Sequence, residues 1–141
     1  MIDRCLFKAK TCNGKWVSGF LHCKENKWYI SNKSGAPFAF EVRPDTICQC
    51  TGLKDKNGKL IWEGDTILFQ RDNDDCPFPD KDTKKRLGKV FYKDFRTTFA
   101  IGMGESGSGS LNDDLWKYVQ NGNRVEVIGN IFDNPELIKE R

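Results

Sequence analysis

Apolar residues in this chain fall in short runs, many alternating with polar neighbours, and clusters of Gly, Pro, Asn and Asp separate one run from the next. That pattern predicts a mainly β protein built from short strands. The densest part is Thr51 to Phe69. Asn57-Gly58 predicts a tight hairpin turn, of type I′ because both residues tolerate positive φ. Leu60, Ile61 and Trp62 then form a short apolar strand, Glu63-Gly64-Asp65 breaks it, and Thr66 to Phe69 resumes with branched and aromatic residues suited to a pleated surface. A Gly-Asp step ahead of such a strand also occurs in small SH3-like barrels, an analogy of fold that carries no function.

Upstream, strands are expected at Arg4 to Ala9, at Lys15 to His22 after an Asn13-Gly14 turn, at Trp28 to Ile30, and at Phe38 to Val42, where the period is two. Trp16, Val17, Phe20 and Leu21 are the apolar members of the second. Downstream, Gln70 to Arg86 is hydrophilic and holds Pro77 and Pro79, so it reads as an exposed loop. Leu87 to Tyr92 and Thr97 to Ile101 read as paired strands, and Gly102 to Ser110 as a second long loop. Leu111 to Val119 admits a helical turn or a strand. Val125 to Ile131 is the last strand, with Gly129 marking a bulge or a close backbone approach. Asn134 is placed to cap a short C-terminal helix with Pro135 at its first position.

Three segments resemble the YopX family of phage and prophage proteins: Thr51 to Gly58 with Ile61 to Asp65, Val127 to Leu137, and Lys15 to Phe20 followed by Val42 to Thr46. The resemblance implies a mostly β, YopX-like multi-strand fold encoded in a phage or integrated phage genome. It implies no activity that transfers residue by residue.

Length fits a single YopX-like domain over residues 1–141, with an N-terminal β subdomain at 1–50 and a C-terminal one at 51–141 as an alternative division sharing a core. Net charge is +3 from 23 basic and 20 acidic residues, a weak electrostatic preference for any partner. No apolar run approaches the roughly 20 residues of a membrane span, and no signal peptide opens the chain, so a cytoplasmic protein of the bacterial host cell with no membrane partner is expected.

Candidate chemistry is thin. The six cysteines, Cys5, Cys12, Cys23, Cys48, Cys50 and Cys76, form no CxxC pair. Cys48 and Cys50 would share one strand face, which suits small core side chains as well as ligands; free thiols are preferred over zinc and over disulfides on the compartment argument. Gly102-Met103-Gly104-Glu105-Ser106-Gly107 matches a dinucleotide fingerprint in letters, but no helix start follows it. Asp72 to Asp75, with Asp80 and Asp82, lacks the glycine and glutamate of a calcium loop and reads as solvated charge. The single histidine, His22, has no partner cue for nucleophilic catalysis, and Trp16, Trp28, Trp62 and Trp116 read first as core or interface residues. No enzyme, cofactor or metal site is expected.

Two functions remain. The preferred one is a non-catalytic β-scaffold interaction module for a host or phage protein, with self-association as an option at its edge strands. The alternative is a nucleic-acid-binding module on the basic aromatic stretch from Lys84 to Phe99, using Lys84, Lys85, Arg86, Lys89, Lys93 and Arg96 among Phe91, Tyr92, Phe95 and Phe99.

Overall fold

The structure, a computed structural model, describes residues 5–31, 39–70, 85–93, 97–102, 112–120 and 123–139. The chain divides into two compact units, Met1–Gly52 and Leu53–Arg141, each built on an antiparallel sheet.

In the first unit the strands are β1 (Phe7–Lys10), β2 (Trp16–Lys24), β3 (Lys27–Ser31), β4 (Ala39–Val42) and the start of β5 (Cys48–Lys54), with a short 3-10 turn at Pro44–Thr46 between β4 and β5. Their order in the sheet is β4-β3-β2-β1-β5. β2 serves two neighbours. Its first half, from Trp16 to Gly19, pairs with β1, and its second half, from Phe20 to Lys24, pairs with β3. A bridge between Thr11 and Val42, with the Arg43 N–H donating to the Lys10 carbonyl at 2.8 Å, then ties the end of β4 back to β1. The strands therefore curl around Ala9, Ile30 and Val42, against which Phe7, Val17, Leu21, Trp28 and Ile47 pack. Thr46 pins the 3-10 turn from inside: its hydroxyl donates to the Arg43 carbonyl at 2.7 Å and accepts from the Lys10 N–H at 2.8 Å.

The second unit repeats the plan. After the end of β5 come β6 (Leu60–Trp62), β7 (Asp65–Gln70), β8 (Lys85–Lys93), β9 (Thr98–Gly102), β10 (Asn112–Asp114), α1 (Leu115–Gln120), β11 (Val125–Asn130) and α2 (Glu136–Lys139). The sheet order is β10-β9-β8-β7-β11. In both units four strands meander, a helical turn follows, and the fifth strand returns beside the first; β7, opened by Gly64-Asp65, is the first strand of the second set. Both sets fit the SH3-like barrel elements expected from the sequence. Ile67, Phe69, Val90, Ile101 and Val125 project from one sheet face onto Leu115 and Tyr118 of α1, and the rings of Phe69 and Tyr118 meet edge to face at 5.2 Å. Each such fully buried large side chain contributes about 1.5–3 kcal/mol.

Several boundaries differ from the sequence reading. Gln70, Lys85 and Arg86 are strand residues rather than loop, because Gln70 pairs with Lys85 and Phe69 with Arg86. Thr51 to Lys54 continues β5. Segment 111–119 is both alternatives in succession, strand then helix. The bulge at Gly129 is present, between Val127 and Gly129. Asn134 does not cap the terminal helix with its side chain; its Oδ1 accepts from the Asn130 N–H at 3.3 Å, in the space where a Cβ on residue 129 would stand.

The turns also exchange roles. At Asn57-Gly58 only Gly58 has positive φ, and its N–H donates to the Asp55 carbonyl at 3.0 Å, which is a type I turn closed by a left-handed glycine. Thr11 to Gly14 repeats that geometry. The type I′ turn lies instead at Glu25-Asn26, whose φ values are 54° and 65° between the paired Lys24 and Lys27. Glu25 is a poor residue for that conformation. The double substitution Glu25→Asn with Asn26→Gly is expected to stabilise the chain by about 1 kcal/mol, read as a higher urea midpoint at unchanged slope.

Candidate functional site

The described part of the stretch from Lys84 to Phe99 is divided between the two faces of β8 and β9. Lys84, Phe95 and Arg96 lie outside the described residues, and Lys85 and Lys93 are placed by backbone alone. Along β8, Lys85, Lys89 and Lys93 occupy alternate positions and Arg86 falls between them. Arg86 sits opposite Phe69, on the side of the sheet that carries the core, whereas Lys89 sits opposite Thr66 on the other. The aromatics divide in the same way. Phe91 pairs with Ala100, while Tyr92 pairs with Phe99 and packs against it edge to face at 5.4 Å. Period two thus gives Lys85, Lys89 and Lys93 register positions on one face of β8 and Arg86 a position on the other.

The cross-strand register of the first unit does bring such groups together. Ala9, Val17, Leu21 and Ile30 point inward, so the alternate residues of β1, β2 and β3 face outward. On β2 these are Trp16, Ser18, Phe20, His22 and Lys24. Lys8 and Lys10 of β1 stand beside Trp16, with ammonium groups 4.9 Å and 5.3 Å from its ring centroid. Contacts of that kind are worth about 0.5–2 kcal/mol and hold an indole face toward a cationic surface. Phe20 is 40% exposed. His22 stacks on Tyr29 of β3, with centroids 5.6 Å apart and rings 18° from parallel, and Ser31 Oγ lies 3.4 Å from His22 Nδ1. Lys24 and Lys27, paired across the hairpin tip, end the row. The result is a row of rings with lysines at both ends, in which the Trp16 face carries two ammonium groups and His22 and Tyr29 lie against each other.

This strip is missed when Trp16, Val17, Phe20 and Leu21 are grouped as one apolar set. The signal was available: counting by twos from Val17 separates the inward Val17, Gly19 and Leu21 from the outward Trp16, Phe20 and His22.

The other sequence candidates disperse. Of the glycine pattern only Gly102 is described, as the last residue of β9, and Asp72 to Asp82 and Cys76 lie outside the described residues. Cys48 and Cys50 are buried in β5, where Cys48 Sγ lies 3.3 Å from the Thr46 carbonyl oxygen; Cys5, Cys12 and Cys23 are exposed free thiols. Among the described residues no group of His, Cys, Asp and Glu is placed to hold a metal ion, and no helix is long and apolar enough to cross a membrane. Of the tryptophans, Trp28 packs against the core as expected, but Trp116 on α1 is 57% exposed. Asp55 is buried and its carboxylate is taken up by backbone N–H groups of Asn57, Lys59 and Val127.

Among solved structures the chain is similar to the crystal structure of protein EF1440 from Enterococcus faecalis, with a TM-score of 0.50 and 22% identity over 95% of this chain and 96% of that one. This likeness concerns the fold. No curated protein matches the sequence. The family model described as YopX protein matches residues 3–139, nearly the whole chain and all three of the segments that carry the resemblance. The chain is a member of the YopX family.

Proposed function

We propose that this YopX protein is a non-catalytic interaction module and that its working surface is the outer face of β1, β2 and β3. One observation carries the reading: Phe20 stands 40% exposed in the middle of a row of rings that the sheet could have turned inward. Exposed apolar rings scattered singly are ordinary, whereas a ring left in water within a contiguous row of aromatics supports a binding surface. Of the acid–base candidates, the Asp55 carboxylate is taken up by three backbone N–H groups and His22 packs against Tyr29 and Ser31, which supports a binding role over acid–base chemistry for these two side chains. The resemblance to phage and prophage proteins supports an origin in such a genome and work inside the bacterial cell.

The test is retention from lysate of bacteria carrying the phage or prophage, on immobilised wild-type protein and on the Phe20→Asp variant. Phe20 is exposed, so the variant is expected to keep the wild-type melting temperature within about 2 °C. Wild type should retain a component that the variant loses at least tenfold. Equal retention by the two proteins, or no retention by wild type, sinks the reading.

A further inference from the structure

We propose that the outer face of β1, β2 and β3 binds single-stranded nucleic acid. The inference rests on the reading of that face as the working surface and adds the class of ligand. Three features of the face favour this ligand. The first is the kind of apolar surface. Trp16, Phe20, His22 and Tyr29 are flat rings, with Phe20 40% exposed among them, and flat rings stack on the planar groups of a ligand. Every base has a π face, so such platforms accept successive bases whatever their sequence.

The second feature is charge. By register Lys8, Lys10, Lys24 and Lys27 project on this side, and Glu41 of β4, which pairs with Tyr29, is the acidic residue that joins them among the described strands. The chain as a whole is only +3, and four lysines against Glu41 and the Glu25 of the hairpin tip leave this region alone at +2. Lysines at both ends of a row of rings match a ligand whose backbone is anionic throughout and whose apolar faces lie between the charges.

The third is dimension. From Trp16 to Lys24 the strand runs at most on the order of 25 Å, shortened by its corner at Gly19, which accommodates up to about four nucleotides, the low end of the site sizes of small β-barrel binders. A duplex buries its base faces in its own stack and could use the lysines but not the rings.

The experiment measures anisotropy of end-labelled 12-mers of deoxythymidine and of uridine, and of a duplex of equal length, with the full chain at low and moderate salt. Binding of a single strand is expected to exceed that of the duplex. The two single-stranded arms separate DNA from RNA as the source of the same chemistry. Affinity should fall with salt with a log–log slope of about −2 to −3, since each neutralised phosphate of a single strand contributes about −0.7. Phe20→Ala and Trp16→Ala should each weaken binding by roughly fivefold to a hundredfold. Lys24→Ala with Lys27→Ala should make the slope shallower by about 1.4. Phe20, Lys24 and Lys27 are all exposed, so three of these four side chains can be changed with the fold intact even if Trp16→Ala unfolds it.

No binding of either single strand at low salt overturns the proposal, as does binding that ignores Phe20→Ala, that prefers duplex, or that is lost on Lys89→Ala instead. Lysate retention that depends on Phe20 without any oligonucleotide binding keeps the face as the working surface and removes nucleic acid as its ligand. Failure of both experiments removes both.

Discussion

Gly19→Ala is expected to cost at least about 3 kcal/mol, far more than an alanine at an ordinary strand glycine. Gly19 is the residue at which β2 leaves β1 and joins β3: it is the last to pair with β1, opposite Phe7, and Phe20 is the first to pair with β3, opposite Ser31. The turn of the strand brings its backbone so near that a Cβ on residue 19 would overlap the Ser31 carbonyl oxygen, with the Ser31 carbonyl carbon at 3.0 Å and Ile30 Cγ2 at 3.3 Å. The obstacle is backbone. It can move only by opening the β2–β3 ladder, which carries Leu21 and Ile30 into the core. Gly14→Ala is the control. Gly14 has a φ of 81° but a Cβ there meets nothing within 4 Å, so it bears only the left-handed penalty of about 1 kcal/mol. Urea denaturation followed by tryptophan emission, with Trp16 and Trp28 flanking the corner, separates the two variants. Equal losses for Gly14→Ala and Gly19→Ala would show that backbone angle, not close approach, is what residue 19 supplies.

The same corner shows what could be read in the chain and what could not. Local chemistry gave the elements: turn residues at Asn13-Gly14 and Asn57-Gly58 and the bulge at Gly129 are found where composition put them, and a strand does end at Val42, although Phe38 lies outside the described residues and Phe40 is 46% exposed rather than on a buried face. These depend on neighbours a few residues apart. Pairing does not. Nothing in Trp16 to Lys24 announces that one strand serves two partners, and until its partners are known the residues opposite Trp16 and His22 are unknown too. That is why the sequence alone points to the lysines nearest to aromatics, at Lys89 and Lys93, while Lys8 and Lys10 reach Trp16 only through the β1–β2 register. Turn type failed for a related reason. Asn-Gly is the favoured pair for a type I′ turn, yet at Asn57-Gly58 the Asp55 side chain holds the N–H groups of Asn57 and Lys59, and a longer turn with one left-handed residue results. Glu25-Asn26 adopts the tighter turn although its residues suit it less, because the paired Lys24 and Lys27 leave only two residues for the connection.

Asp55→Ala is expected to destabilise the second unit by about 3–4 kcal/mol, the sum of three lost charge-assisted bonds less what water restores at the exposed loop. Asp55 is 3% exposed. Its Oδ1 accepts from the N–H groups of Asn57 and Lys59, each at 2.9 Å, and its Oδ2 accepts from the Val127 N–H at 3.0 Å. The first two bonds shape the turn between β5 and β6. The third crosses to β11, at the residue before the bulge, where the β7–β11 ladder is already interrupted. Around it the Lys56 N–H donates to the Val125 carbonyl at 2.9 Å and Asn123 Nδ2 donates to the Lys54 carbonyl at 2.8 Å, so the turn and the last strand are joined by several bonds that the carboxylate centres. Water can reach Asn57 and Lys59, which are exposed, but not as readily Val127, which packs against the core. Asp55→Asn divides the effect. An amide has one acceptor oxygen, so if that oxygen serves the turn its NH2 group confronts the Val127 N–H, and a loss of about 1.5–3 kcal/mol follows from one unmet buried donor and the repulsion beside it. Hydrogen exchange distinguishes the sites of damage. In Asp55→Asn the Val127 amide should lose protection while those of Asn57 and Lys59 keep theirs, and in Asp55→Ala all three should exchange faster. A loss below about 1 kcal/mol for Asp55→Ala, with Val127 still protected, would mean that the side-chain pairing of Val125 and Val127 with β7 holds the last strand without help from the carboxylate.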